Sequence, residues 1–251
     1  MNRLFQLPTP IIFAHRGASA LAPENTLASF KLAEEVGARA VELDVKLSLD
    51  GEVVVIHDPT VDRTTGAKGW VNQTNLADLR QLDAGSFFSG TFKQEKIPLL
   101  EDVFNLLGTR LLINVELTNY TSPRDALVEK TAALVARCGM QDNVLFSSFS
   151  PVNLIKARGL LPEVPVGLLC SEGKSGLWTR SFIAQWFFPS MIHPYYMDVS
   201  PAYIQHEHKR NRRVNVWTVN DVDVMKKLFE AKVDGIFTDD PALAQRILEE
   251  G

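Results

Sequence analysis

The stretch "AVELDVKLSLDGEVVVIHD", Ala40 to Asp58, decides the fold. It holds two apolar runs rich in β-branched residues, and each reads as a strand. Only about four residues, Leu49 to Glu52 around Asp50-Gly51, lie between them. A parallel pair needs a crossover of about a dozen residues or more, so the two runs form a hairpin with Asp-Gly as its turn.

Working outward, one further run, "IIFAH" from Ile11, precedes the hairpin. After residue 110, short apolar runs alternate with longer amphipathic segments: "LLINVEL", "VLFSSF", "PVGLLC", "SMIHPYY", "VNVWTV" and "DGIFTD". That alternation is the pattern of repeated strand–helix crossovers and a parallel sheet. Nine runs result, and removing "EVVVIHD" from the parallel set leaves eight. The expected fold is α/β, a (β/α)8 TIM barrel formed by residues 1–251 as a single domain. A small subdomain is expected as an insertion after barrel strand 2, from about 46 to 108. Helix signals agree. One helix starts near Asn25-Thr26 with Leu27, Phe30 and Ala33 on its buried side. Asp221 can cap a helix striped by Val224, Met225, Leu228 and Phe229, and Asp240-Pro241 opens the last helix.

Composition narrows the function. A net charge of -4 argues against a nucleic-acid partner, which normally needs a basic surface. The N-terminus is broken by Pro8 and Pro10 and lacks an apolar leader, so a cytoplasmic protein is expected. The most apolar segment, "FIAQWFFPSMI" from Phe182, is shorter than the roughly 20 residues a membrane helix requires. It reads as a core helix followed by a strand, with no integral membrane segment. Cys138 and Cys170 stand alone, without metal-binding or disulfide spacing, and are expected to be buried structural thiols.

In such a barrel the chemistry sits at the C-terminal ends of the strands. Strand 1 ends in His15-Arg16. Strand 2 presents Glu42 and Asp44, two apart and so on one face. Glu116 lies at the end of the next barrel strand, and the hairpin returns His57-Asp58 to the same rim. Three carboxylates packed together repel unless a cation neutralises them, and oxygen-only ligation selects Mg²⁺, Ca²⁺ or Mn²⁺. A glutamate inside "INVEL" is costly to bury without such a partner. His15 and His57 beside these carboxylates suit a general acid/base pair. Gly17 is expected to let the backbone approach a ligand, and Arg16 offers a planar fork for phosphate oxygens. His193, at the end of "SMIH", faces the mouth as a substrate-contact candidate, with a core-edge hydrogen bond as its alternative.

The combination "AHRG", "APENTLASF", "VELDV", "DG", "VVVIHDPTVDRTTG", "NVEL", "VWTVN" and "DGIFTDDP", in this order along nearly the whole chain, resembles the glycerophosphodiester phosphodiesterase family. The resemblance implies catalytic His15 and His57 and one divalent cation held by Glu42, Asp44 and Glu116. It also implies phosphate contact by Arg16 and an apolar wall for the glycerol moiety at Trp217. The implied reaction is metal-dependent hydrolysis of a small-molecule glycerophosphodiester to glycerol 3-phosphate and an alcohol such as choline or ethanolamine. A lysophospholipase D and a non-catalytic phosphodiester-binding barrel are the alternatives, and the family also implies a homo-oligomer. One departure stands out: the family often has a lysine two residues after the strand-3 glutamate, where this chain has Thr118. Lys46, sharing the parity of Glu42 and Asp44, is the candidate to replace that cation near the phosphate.

Overall fold

The computed structural model describes residues 1–177, 179 and 190–250; "FIAQWFFP" within the segment read as a core helix lies outside them. Eight parallel strands close a barrel: β1 (Ile11–Ala14), β2 (Ala40–Leu47), β4 (Leu112–Leu117), β5 (Val144–Ser148), β6 (Val166–Leu169), β7 (Met191–His193), β8 (Arg213–Val216) and β9 (Gly235–Thr238). Closure comes from β1, which pairs in parallel with both β2 and β9. Every position of these strands is buried except Glu116 and Arg213, because helices cover the outside and side chains fill the inside. β3 (Val53–Val55) lies outside the barrel, antiparallel to β2 with Val45 opposite Val55. Its turn closes through Gly51, whose φ of +79° lies in the left-handed region.

The expected helices form at the expected caps. α1 (Leu27–Glu35) starts at Thr26, whose side chain accepts from Ser29 N. Two short helices, α2 (Asp62–Thr65) and α3 (Leu76–Leu79), follow β3. Next come α4 (Leu100–Leu107), α5 (Leu127–Arg137), α6 (Pro151–Leu160), α7 (Pro201–His208), α8 (Val222–Glu230) and α9 (Pro241–Glu250). Asp221 accepts from Val224 N, and Asp240 accepts from Leu243 N. Among the described residues no helix is long and apolar enough to cross a membrane.

Two sequence expectations change. The stretch 46–108 is not wholly an insertion: Lys46 belongs to β2, and Leu100, Val103, Phe104 and Leu107 of α4 pack in the main barrel core. α4 is the second crossover helix; its N-cap position holds Leu99, which has no capping side chain, and the cap comes instead from Asp102 Oδ2, which accepts from Leu99 N at 3.1 Å. Between those limits Val54, Ile56, Val61, Val71, Leu79 and Ile97 form a separate small cluster. Cys170 is buried, but Cys138, at the end of α5, is only half-buried.

Inside the barrel, the period of two sorts residues into layers. Ile11, Phe13, Ala40, Leu112, Leu145, Met191 and Phe237 make an apolar base, plugged by Leu4, with Phe13 stacked on Phe237 at 4.7 Å. Two residues further along each strand the interior turns polar: Glu42 after Ala40, Asn114 after Leu112, Ser147 after Leu145, His193 after Met191. Another two residues bring Asp44 and Glu116 to the rim.

Candidate active site

The β2–β4 register sets Glu42 beside Asn114 and Asp44 beside Glu116. Parallel pairing thus brings three carboxylates together, with one oxygen from each lying within 4.8 Å of the others. Asn25 Nδ2 donates to Asp44 Oδ2 at 2.9 Å, and Arg16 Nε stands 3.3 Å from the same oxygen. Arg16 N donates to Glu42 Oε2 at 3.0 Å, while Glu42 Oε1 is buried without a partner. Burial, then the charges of Asp44 and Glu116, push Glu42 well above the carboxylate range. Burial and Asp44 raise Glu116 to about 8. Burial also acts to raise Asp44, but Arg16 and His57 outweigh it and hold Asp44 down. An orphaned oxygen and two carboxylates that resist ionisation are what a missing positive charge would relieve, so the cluster fits a divalent cation.

In protein stripped of divalent cations, Glu116 takes up protons more readily folded, at about 8, than at its ordinary 4.5. That contribution to stability is full below the ordinary value and disappears as pH rises through about 8. Tm of the cation-free protein is therefore expected to fall between about pH 5 and about pH 8. Added Ca²⁺ or Mg²⁺ should restore most at the upper end, because ligands bind ionised. A cation-free Tm that rises across this window contradicts the arrangement.

Both histidines reach the rim with Nδ1 committed to a carboxylate. His15 Nδ1 lies 2.6 Å from Asp239 Oδ1. Asp239 also accepts from Ser19 Oγ at 3.0 Å and Asn220 Nδ2 at 2.6 Å. His57 Nδ1 lies 2.7 Å from Asp58 Oδ1, and Arg63 Nε donates to Asp58 Oδ2 at 2.7 Å. Although burial acts to raise both aspartates, these partners hold Asp58 and Asp239 at about 2, ionised throughout the working range. An ionised carboxylate on Nδ1 fixes the proton there and leaves Nε2 for chemistry. His15 Nε2 is 4.0 Å from Glu42 Oε2.

Both rings line a cavity of about 120 Å³ with Arg16, Glu42, Asn114 and Glu116, together with Phe149, Leu169, Trp217 and Phe237. Arg16, at φ +55°, has its guanidinium on Glu24 Oε1 at 2.8 Å, and Arg63 grips the same Glu24 through both of its terminal nitrogens. Trp217 spends its indole N–H on His193 O at 2.8 Å and presents its ring.

Three expectations from the sequence need revision. His193 is fully buried one layer below the mouth; its ring lies over Gly167 and its Nε2 meets Asn215 Nδ2 at 3.1 Å. Burial lowers it to about 3, so it is a neutral core histidine without a surface to offer substrate. Lys46 Nζ donates to Thr118 O at 2.9 Å and Thr118 Oγ1 at 2.8 Å, beside a separate small cavity. It therefore sits against the side chain standing at the expected lysine position, but outside the lining of the main cavity. Gly17, at φ +85°, serves the backbone instead of a ligand: a Cβ there would stand 2.4 Å from Ser29 Oγ. Gly17→Ala is expected to cost about 2 kcal/mol or more of stability, from left-handed strain and the clash together; urea denaturation checks it.

Asp239, Glu24, Arg63, Tyr120 and Phe149 were not singled out from the sequence. Asp239 stands directly after β9 in "TDDP", where the barrel rule alone could have marked it. Tyr120 O–H donates to Glu116 Oε1 at 2.9 Å, a contact four residues apart between β4 and the loop that follows it.

Residues 15–243 match the family model described as the glycerophosphoryl diester phosphodiesterase family. A glycerophosphodiester phosphodiesterase of Caldanaerobacter subterraneus subsp. tengcongensis is 36% identical over 242 residues, spanning 96% of this chain and 98% of the relative. Among solved structures, a phosphodiesterase of Oleispira antarctica in complex with the product sn-glycerol-3-phosphate superimposes with a TM-score of 0.90 at 31% identity, covering 99% of this chain and 100% of that one. A glycerophosphodiester phosphodiesterase of Agrobacterium tumefaciens gives 0.81 at 30% identity, covering 94% and 99%. Barrel, acidic cluster and relatives together define a phosphoric diester hydrolase. The chain belongs to the glycerophosphoryl diester phosphodiesterase family.

Proposed function

We propose that this chain hydrolyses glycerophosphodiesters to glycerol 3-phosphate and an alcohol, with His15 and His57 as the acid/base pair and Glu42, Asp44 and Glu116 holding a divalent cation. The observation that carries the reading is the convergence of two aspartate-backed imidazoles and the acidic cluster on one cavity. A bound cation would supply Lewis-acid stabilisation of charge building on the phosphoryl oxygens. Mg²⁺ and Ca²⁺ suit the three carboxylates, with Mn²⁺ also compatible.

The proton work falls to the histidines. One Nε2 accepts the proton of the nucleophile, a water or the neighbouring glycerol hydroxyl, as its oxygen bonds to phosphorus. The other Nε2 delivers a proton to the alcohol oxygen as its bond to phosphorus breaks. With water the cleavage is complete in one displacement; with the hydroxyl a cyclic phosphate forms and a water then opens it. Asp239 and Asp58 keep each Nδ1–H in place throughout. Arg16 lies beside the reacting centre, and the Trp217 ring walls the glycerol moiety.

Asp239→Asn is expected to lower kcat by about 10² or more with little change in KM, because an amide cannot reproduce the carboxylate's hold on the Nδ1 proton. Steady-state kinetics on a glycerophosphodiester check this. The reading as a whole is tested by ³¹P NMR of protein with divalent cation and glycerophosphocholine or lysophosphatidylcholine. Glycerol 3-phosphate from the first supports it. Cleavage of only the lysophospholipid points to a lysophospholipase D, and binding without cleavage of either points to a silent barrel.

A further inference from the structure

The two cavity histidines differ in what holds them. His15 follows β1 and Asp239 follows β9, so both partners continue barrel strands, and His15 N donates to Thr238 O at 2.9 Å. His57 and Asp58 instead follow β3, which lies outside the barrel, and the His57 side chain is 42% exposed against 20% for His15. Asp58 moves with the same loop as His57. It orients the ring without fixing it to the barrel, and a reacting group carried by a loop is placed less precisely than one on a strand.

One guanidinium supplies the missing tie. Arg63, in α2, donates through Nε to Asp58 Oδ2 at 2.7 Å and through Nη2 at 3.1 Å to Asp58 Oδ1, the oxygen that meets His57. It also donates through Nη1 to Glu24 Oε2 at 2.6 Å and through Nη2 to Glu24 Oε1 at 2.8 Å. Glu24 Oε1 accepts in turn from Arg16 Nη1 at 2.8 Å. The next residue anchors Glu24: Asn25, at φ +56°, donates through N to Arg16 O at 2.9 Å and through Nδ2 to Asp44 Oδ2. Burial acts to raise Glu24, but Arg63 and Arg16 outweigh it and hold the carboxyl below its ordinary value, so it stays ionised. Charges therefore alternate along one line, from His57 through Asp58, Arg63, Glu24 and Arg16 to Asp44. Single exposed ion pairs hold little, but a guanidinium that forks onto two carboxylates within a network is the exception.

We propose that Glu24 and Arg63 are positioning residues that tie His57, carried by the segment after β3, to Arg16 on the barrel, so that the ring and the phosphate-side guanidinium are set relative to each other. The assignment rests on the phosphodiesterase reading, which gives His57 and Arg16 their roles.

The test measures kcat, KM and Tm for Arg63→Ala, Arg63→Lys and Glu24→Gln on glycerophosphocholine with saturating divalent cation. Arg63→Ala is expected to lower kcat by about 10- to 100-fold, the consequence of displacing a reacting group by about 1 Å, with little change in KM. Glu24→Gln should lower kcat and also raise KM, because Arg16 loses its partner too. Arg63→Lys should recover little, since an ammonium cannot fork onto two carboxylates. Guanidinium chloride at a non-denaturing concentration should restore kcat of Arg63→Ala, whereas equal NaCl should not, and neither should help His57→Ala. On a p-nitrophenyl ester, adding Arg63→Ala to His57→Ala should cost little more than His57→Ala alone, because the arginine acts through the ring. Unchanged kcat in folded Arg63→Ala, or the same fold-loss with and without His57, overturns the positioning assignment and leaves the phosphodiesterase reading intact. If Arg63→Ala fails to fold, Glu24→Gln decides, and unaltered kcat and KM there overturn the assignment. Absence of cleavage by wild type overturns that reading, and the assignment with it.

Discussion

His15→Ala is expected to lower kcat by about 10²–10⁴-fold, and His57→Ala by a comparable factor, the usual worth of a positioned proton donor or acceptor. Each ring is held from behind by an ionised aspartate and faces the cavity with Nε2, so neither can replace the other. Asp239 keeps Ser19 and Asn220, and Asp58 keeps Arg63, so truncating either ring should leave the local fold standing. Tm measured alongside kcat separates lost chemistry from lost structure. The double variant should cost little more than the worse single one, because the two act on one reaction. Leaving-group dependence then assigns the roles. With a p-nitrophenyl ester, whose anion leaves without protonation, the variant lacking the general acid should recover much of its rate, while the variant lacking the base should not. Near-normal kcat in either single variant removes the paired scheme.

The second large effect is expected from Glu116→Gln. The amide preserves shape and can still accept from Tyr120, so it tests charge alone. If the carboxylates hold a cation that stabilises the developing charge, kcat/KM should fall by about 10³-fold, several kcal/mol of lost stabilisation. Stability should move the other way. Without metal the three carboxylates repel, and Glu116 is already pushed up to about 8. Neutralising it should leave the cation-free protein as stable as wild type or more so, while the Tm increase produced by Ca²⁺ or Mg²⁺ shrinks. An equal loss of stability with and without cation would mark Glu116 as a structural residue.

The barrel was legible because four residues around Asp50-Gly51 cannot bridge parallel strands, which set the strand count and with it the rim. Rim position then located Glu42, Asp44, Glu116, His15 and His57, because strand parity and strand ends are properties of sequence. Layer depth was harder to read. His193 is the last residue of β7 and His15 the first after β1, yet His193 is fully buried, and only the neighbouring glycine at 167 reveals how close its ring must pack. Residues that act through others stayed hidden. Asp239 meets His15 across a separation of 224 residues, and Arg63 meets Glu24 across 39, distances at which local pattern carries no information. Gly17 shows the opposite failure: its left-handed backbone was legible, but whether the close neighbour is a ligand or Ser29 depends on packing.

The most direct test is the rate of glycerol 3-phosphate release from glycerophosphocholine by protein first freed of divalent cations with EDTA, then given Mg²⁺, Ca²⁺ or Mn²⁺ singly. Three carboxylates meeting around a hard cation predict negligible turnover after chelation and recovery on adding at least one of these ions in excess. Undiminished turnover in EDTA would contradict the account.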